Sequence, residues 1–212
     1  MKGQDIGLLL KLICLHKQEK RVLSCFGADI RDWDKQNSFK EGELSHQLFD
    51  KQANQYSVRA LAESTGISKS QVNLALQRCF EIGLAKQGRH AGSPSANANE
   101  LRNLIVYGVR YMFPVKLGSM TRGIRTTLAA PVFKEALMSA GDLVPVWPDP
   151  EGKIKGLSVE PLFKSVPYAI KKERDDDFYG LLALVDSIRL GQARERNLAI
   201  KMLDKWLEDS GK

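Results

Sequence analysis

Residues 57–86 read SVRALAESTGISKSQVNLALQRCFEIGLAK, and the spacing inside this stretch restricts the fold more than any other part of the chain. Val58, Leu61 and Ala62 share one helical face behind Ser57, a residue type that caps helix starts. Thr65-Gly66 interrupts the pattern, because glycine accepts the left-handed backbone of a tight turn between helices. Ser68 opens a second helix, and Gln71 three residues later completes a capping box. Val72, Leu76 and Cys79 recur at i, i+4 and i+7 with Ala75 beside them, and the stripe stops at Gly83. Two helices joined by a short glycine turn make a helix-turn-helix unit, whose second helix can enter a DNA major groove.

Burying that stripe leaves Lys69, Ser70, Asn73 and Gln77 outward. Asn and Gln suit adenine, and Lys suits guanine or phosphate. Ser68 and the free amides at the helix start can hold a phosphate. With Gln71, and with Ser57 and Arg59 of the preceding helix, these residues form the expected DNA-contact set. Leu74 lies near the same face, where it meets either a thymine methyl or another protein. Charge supports the polyanion reading. The chain is +7 overall, yet residues 1–50 and 171–212 each sum to zero. Residues 51–98 carry six basic side chains against Glu63 and Glu81, and residues 99–170 carry nine against six. A localised basic excess favours polyanions through counterion release.

Elsewhere the pattern is mostly helical. Ile6, Leu9, Leu10, Ile13 and Cys14 mark an amphipathic first helix with Asp5 in a capping position. Residues 17–55 mix an apolar piece (Val22 to Phe26), a charged stretch (Arg31 to Lys35) and a short helix around Leu44 to Phe49, and read as a partly ordered insertion. Leu84-Ala85-Lys86 can begin a strand, and residues 87–98, QGRHAGSPSANA, read as a loop or linker. Leu101, Leu104, Ile105, Val109 and Met112 mark a helix stopped by Pro114. Residues 115–131 read as irregular, and Val132 to Ala140 as a short helix. VPVW and KGLSV flank PDPEG as a hairpin, placed at an edge by Pro145 and Pro148. Two helices close the chain. Asp175 to Asp177 cap the first, which buries Leu181, Leu182, Val185 and Ile188; the second, from about Ala193, buries Leu198, Met202 and Trp206.

The segment ALAESTGISKSQVNLALQRCFEIGLAK resembles the winged helix-turn-helix core of bacterial regulators similar to the MarR group. Ala62, Gly66, Ile67, Val72, Leu76 and Gly83-Leu84 stand where that motif has them, while Cys79 replaces the usual leucine. The resemblance implies a wing after the second helix, with Arg89 and His90 as its contacts. YGVRYMFPVKLGSMTRGIRTTLAAP, VWPDPEG and LLALVDSIRLGQARERNLA resemble uncharacterised bacterial winged-helix proteins that accompany nucleotidyltransferase-type toxins. That second resemblance implies a regulator or antitoxin role by analogy.

Catalysis finds little support. His16, His46 and His90 lack the spacing of a metal or triad motif, and no Walker-type or GxGxxG loop is present. No catalytic residue, metal or cofactor is assigned. Cys14 and Cys79 sit on apolar stripes, leaving Cys25 as the candidate exposed thiol, and three unpaired cysteines fit a reducing compartment. Asp175 to Asp177 suit a helix start better than magnesium. In the loop 118–131, Arg122 and Arg125 are candidate contacts for a phosphate or an acidic partner. Arg194 and Arg196 stand at a helix start, which disfavours cations, so Asp186 or a neighbouring chain is their expected partner.

The expectation is therefore a mainly α chain: a winged helix-turn-helix domain over 1–98, then an α-rich dimerisation or effector domain with a β-hairpin over 99–212. Its partners are double-stranded DNA and a second copy of the chain, in the cytoplasm and away from membranes, as a repressor. The faces of the last two helices or of residues 101–112 are the candidate interfaces. The alternative is an antitoxin or adaptor that binds a partner protein from the same operon, and a role on structured RNA comes third.

Overall fold

The computed structural model describes residues 1–29, 54–88, 93–133 and 144–211. It is mainly helical with small sheets. In chain order the described elements are α1 (Gly3–Asp29), α2 (Val58–Thr65), α3 (Lys69–Glu81), β1 (Ala85–Gln87) and β2 (Pro94–Ala96). They continue with α4 (Ala98–Asn103), a π turn (Leu104–Gly108), α5 (Val109–Met112) and β3 (Met120–Arg125). The last are β4 (Pro145–Pro148), β5 (Ile154–Ser158), α6 (Val166–Glu173), α7 (Asp176–Leu190) and α8 (Ala193–Gly211). The expected helix near Leu44 to Phe49, residues 134–140 of the expected helix at Val132, the side chain of Cys25, and Arg89 and His90 lie outside the described residues. No described helix is long and apolar enough to cross a membrane.

The first helix departs from expectation. It continues to Asp29, well beyond residue 16, and it is not amphipathic over its first half. Every residue from Asp5 to Leu15 is buried, because α3 packs on one side and α7 on another. One apolar cluster consequently runs from Ile6 to Leu203 and includes Leu61, Val72, Leu101, Phe178 and Leu184. Lys11 lies inside it at 2% exposure and donates to Glu173 (2.5 Å) and Asp175 (2.9 Å). Burial alone would lower the Lys11 ammonium; the two carboxylates outweigh it and hold the group above its ordinary value.

The residues between 115 and 158 correct two expectations. Met120–Arg125 is a strand where the sequence reads as irregular, and the expected hairpin does not form. Strand β3 runs antiparallel to both β4 and β5, which pair parallel with each other, so the three close into a small barrel. Pro145 and Pro148 have no N–H to give a direct hairpin ladder, whereas β3 offers two free edges. Closure demands near-contact between backbones. A Cβ on Gly123 would lie 1.9 Å from the Trp147 carbonyl oxygen, and one on Gly156 would lie 1.9 Å from that of Val144.

Helix α7 holds the barrel to the rest of the chain. The Asp186 carboxylate is fully buried and accepts from Arg189 Nη1 (2.5 Å), Trp147 Nε1 (2.5 Å) and Thr126 Oγ1 (3.2 Å). Arg189 also donates to the carbonyls of Phe113 and Glu160. Asp186 is thus taken by Arg189, and the expected pairing with Arg194 or Arg196 does not occur. Burial pushes its carboxyl upward, against the opposing pull of Arg189, Trp147 and Thr126. The apolar face of α7 is covered within the chain itself, which removes it as a candidate interface between copies.

Asp186→Ala should leave Arg189 as a buried cation without a counter-charge and cost about 3–5 kcal/mol in urea unfolding. Gly123→Ala should cost at least about 2 kcal/mol, since its new Cβ meets backbone that cannot rotate away. A wild-type midpoint for either variant would disprove the corresponding packing argument.

Candidate nucleic-acid interface

The helix caps at Ser57, Gly66 and Ser68 form, but the expected capping box does not close, because the Gln71 side chain bonds Gln4 rather than the Ser68 amide. Ser57 accepts from the Ala60 amide (3.2 Å) at the start of α2. Gly66 adopts φ +68° and returns its N–H to the Ala62 carbonyl (3.0 Å), closing that helix in the left-handed turn. Ser68 accepts from the Gln71 amide (3.4 Å) and opens α3. Inward, Val72, Ala75, Leu76 and Cys79 are buried, and burial pushes the Cys79 thiol up to about 12. Outward, Lys69, Ser70, Asn73 and Gln77 are all exposed, and Leu74 among them is 46% exposed. Ser57 and Arg59 are exposed on the neighbouring α2 side.

Gln71 points elsewhere. It is half-buried, and its amide oxygen accepts from Gln4 Nε2 of α1 at 3.0 Å, so its side chain serves the packing of α3 on α1. Arg78 serves that packing too. Its guanidinium grips the Asp5 carboxylate twice, Nη2 to Oδ1 at 2.6 Å and Nε to Oδ2 at 3.0 Å. That bidentate bond raises the Arg78 pKa, and Asp5, wholly buried, also accepts from the Lys2 amide. Asp5 therefore caps α1 as expected and anchors α3 as well.

Beyond α3, Ala85–Gln87 pairs antiparallel with Pro94–Ala96, so part of the expected loop is the second strand of a short hairpin. Lys86 and Gln87 are exposed on it, and the strand pairing continues in Gly88 N–H to Ser93 carbonyl (2.7 Å). The tip between these strands, with Arg89, is outside the described residues. Arg122 and Arg125 are exposed on the barrel strand β3, with Arg122 paired across to Lys155 and Arg125 to Val146. Among the described residues, no group of three or more His, Cys, Asp and Glu side chains is arranged to hold a metal ion.

Sequence reasoning missed α6 altogether. This helix lies against the turn between α2 and α3: Ser165 Oγ donates to the Thr65 carbonyl (2.8 Å), and Lys172 pairs with Glu63 (3.0 Å). A Cβ on Gly66 would lie 2.6 Å from Tyr168 and 2.9 Å from Ser165. The adjacent Lys171 reaches the other way, to Asp149 (3.1 Å) and Glu151 (2.7 Å) in the barrel turn. The signal was available in VPYAIKKE, where proline is tolerated in a first helical turn and lysines follow in the last.

Arg78→Ala should strand the buried Asp5 carboxylate and cost on the order of 3 kcal/mol, and adding Asp5→Asn should recover part of that loss in a double-mutant cycle. Additive losses in urea unfolding would show that the two groups do not act as a pair. No family model matches this chain, and no characterised protein or solved structure matches it either.

Proposed function

We propose that this chain is a sequence-specific DNA-binding transcriptional regulator that represses as a homodimer. The observation that carries the reading is the outward face of α3. Lys69, Ser70, Asn73 and Gln77 project from a helix whose opposite face is anchored by Val72, Leu76 and the Arg78–Asp5 pair. These are the side-chain types that read base edges in a major groove, held on a rigid element. The β1–β2 hairpin follows α3 directly, the place a wing takes beside a recognition helix. Double-stranded DNA is the favoured polyanion because a single projecting helix fits a B-form major groove, whereas the major groove of duplex RNA is too narrow for side-chain readout. A dimer follows from specificity: one helix contacts only a few base pairs, and two half-sites a helical turn apart multiply the discrimination.

A second reading has its own observation. Tyr107 (70% exposed), Tyr111 (82%) and Met112 (44%) crowd the outer side of the π turn and α5. Aromatic residues concentrated on one exposed helix face suit a protein partner. An adaptor or antitoxin that binds a protein from its own operon uses such a face, and so does the dimer.

Asn73→Ala should cost on the order of 1–3 kcal/mol at particular base pairs, whereas Lys69→Ala should weaken all duplexes about equally. Fluorescence anisotropy with the upstream DNA of its own gene and with a scrambled duplex measures both. Unchanged affinity in both variants would refute the assignment of α3.

A further inference from the structure

We infer that Lys2 and Lys164, far apart in the sequence, form a shared seat for a DNA backbone phosphate beside the start of α3. The inference rests on the reading of α3 as the DNA-contacting helix and extends its footprint to residues outside the two-helix unit. An open groove there is lined by Lys2, Gln4, Ser68 and Gln71 on one side and by the segment Leu162–Ser165 on the other. Both lysines are exposed, and among the described residues neither ammonium has an acidic partner. Among the described residues, no carboxylate lines this groove. Asp5, the nearest in sequence, is buried and held by Arg78 and the Lys2 amide.

Two larger grooves differ in this respect. One sets Lys11, Arg21 and Arg174 against Glu173 and Asp175 to Asp177; the other sets Lys17, Lys20, Lys86 and Arg102 against Asp204 and Glu208. Both mix carboxylates with their cations, three basic side chains against four acidic in the first and four against two in the second, whereas the described lining of the groove at α3 holds its two lysines with no carboxylate among them. The backbone segments that carry the two lysines are also held together. A Cβ on Gly3 would fall 1.9 Å from the Leu162 carbonyl oxygen, and one on Gly7 would fall 2.2 Å from the Phe163 ring. The α1 start and the 162–165 segment are thus pressed together, and Ser165 is tied to the two-helix turn through the Thr65 carbonyl. Two cations on a rigid frame beside a base-reading helix suit a phosphate that sets the register of that helix on the duplex.

The test is the salt dependence of duplex binding, followed by anisotropy between about 50 and 200 mM salt. Lys2→Gln and Lys164→Gln should each make the slope of log K against log salt shallower by about 1, and the double variant by about 2. Lys205→Gln, an exposed lysine of α8, should leave it unchanged. Wild-type slopes in all three groove variants, with base discrimination still lost in Asn73→Ala, would overturn the phosphate seat and leave the reading of α3 standing. Absence of duplex binding by the wild type at the lower salt would remove both. Inorganic phosphate that raises the Tm of wild type but not of the double variant, with DNA slopes unchanged, would mark a free-anion site and overturn the assignment to DNA.

Discussion

A helix buried on all sides must neutralise any charge it carries, and α1 carries two in its buried stretch, Asp5 and Lys11. Each is satisfied by a different part of the chain: Asp5 by Arg78 of α3, and Lys11 by Glu173 and Asp175 around the start of α7. An unpaired ion at either place would cost several kcal/mol. The two pairs therefore fix which elements flank α1 and in what register, a selectivity that apolar contact alone does not give. Leu8, Leu9, Leu10 and Leu12 supply the burial, while Asp5 and Lys11 decide the neighbours.

The position of α3 follows from this arrangement. It is held from below by α1 through Arg78 and Gln71, and its leading turn is held by α6 through Ser165 and the contact of Tyr168 over Gly66. Helix α6 is in turn joined to the barrel by Lys171, and the barrel to α7 by Trp147 and Asp186. The outward face of α3 is thus set by residues spread over most of the chain. A helix that reads base edges needs that rigidity, because a shift of about an ångström is enough to lose directional hydrogen bonds.

The two-helix unit was legible because its information is local. Ser57, Gly66, Ser68 and the Val72–Leu76–Cys79 stripe act within a few residues of themselves, and the structure places each as its chemistry requires. The same holds for Asp175 at the start of α7. The barrel was not legible, because its logic is the approach of Gly123 and Gly156 to distant carbonyls, and glycine in a sequence announces a turn as readily as a close contact. The first helix misled for a related reason. Periodicity picks out one apolar face, and a second face carrying Asp5 and Lys11 reads as solvated until their partners, 73 and 162 residues away, are in place. For the candidate site, the exposure of Lys69, Ser70, Asn73 and Gln77 followed from helical spacing alone, but the diversion of Gln71 to Gln4 required a neighbour the spacing does not contain.

Electrostatics shows the same gap between chain and space. Summed along the sequence, residues 51–98 carry +4, but the segment total is not the charge seen by a ligand. Arg78 is spent on Asp5 of the first segment, and Glu63 is neutralised by Lys172 of the last, so one cation and one anion leave the tally together. Lys2 and Lys164, counted in other segments, come to stand at the start of α3, while Glu81 lies at its opposite end. Lys2 and Lys164 line the groove at the leading turn, next to the exposed Lys69 at the start of α3, and both come from outside α3. Attraction of a polyanion depends on this local arrangement rather than on the net +7, since at physiological salt charges more than about 8 Å apart on the surface are largely screened from one another.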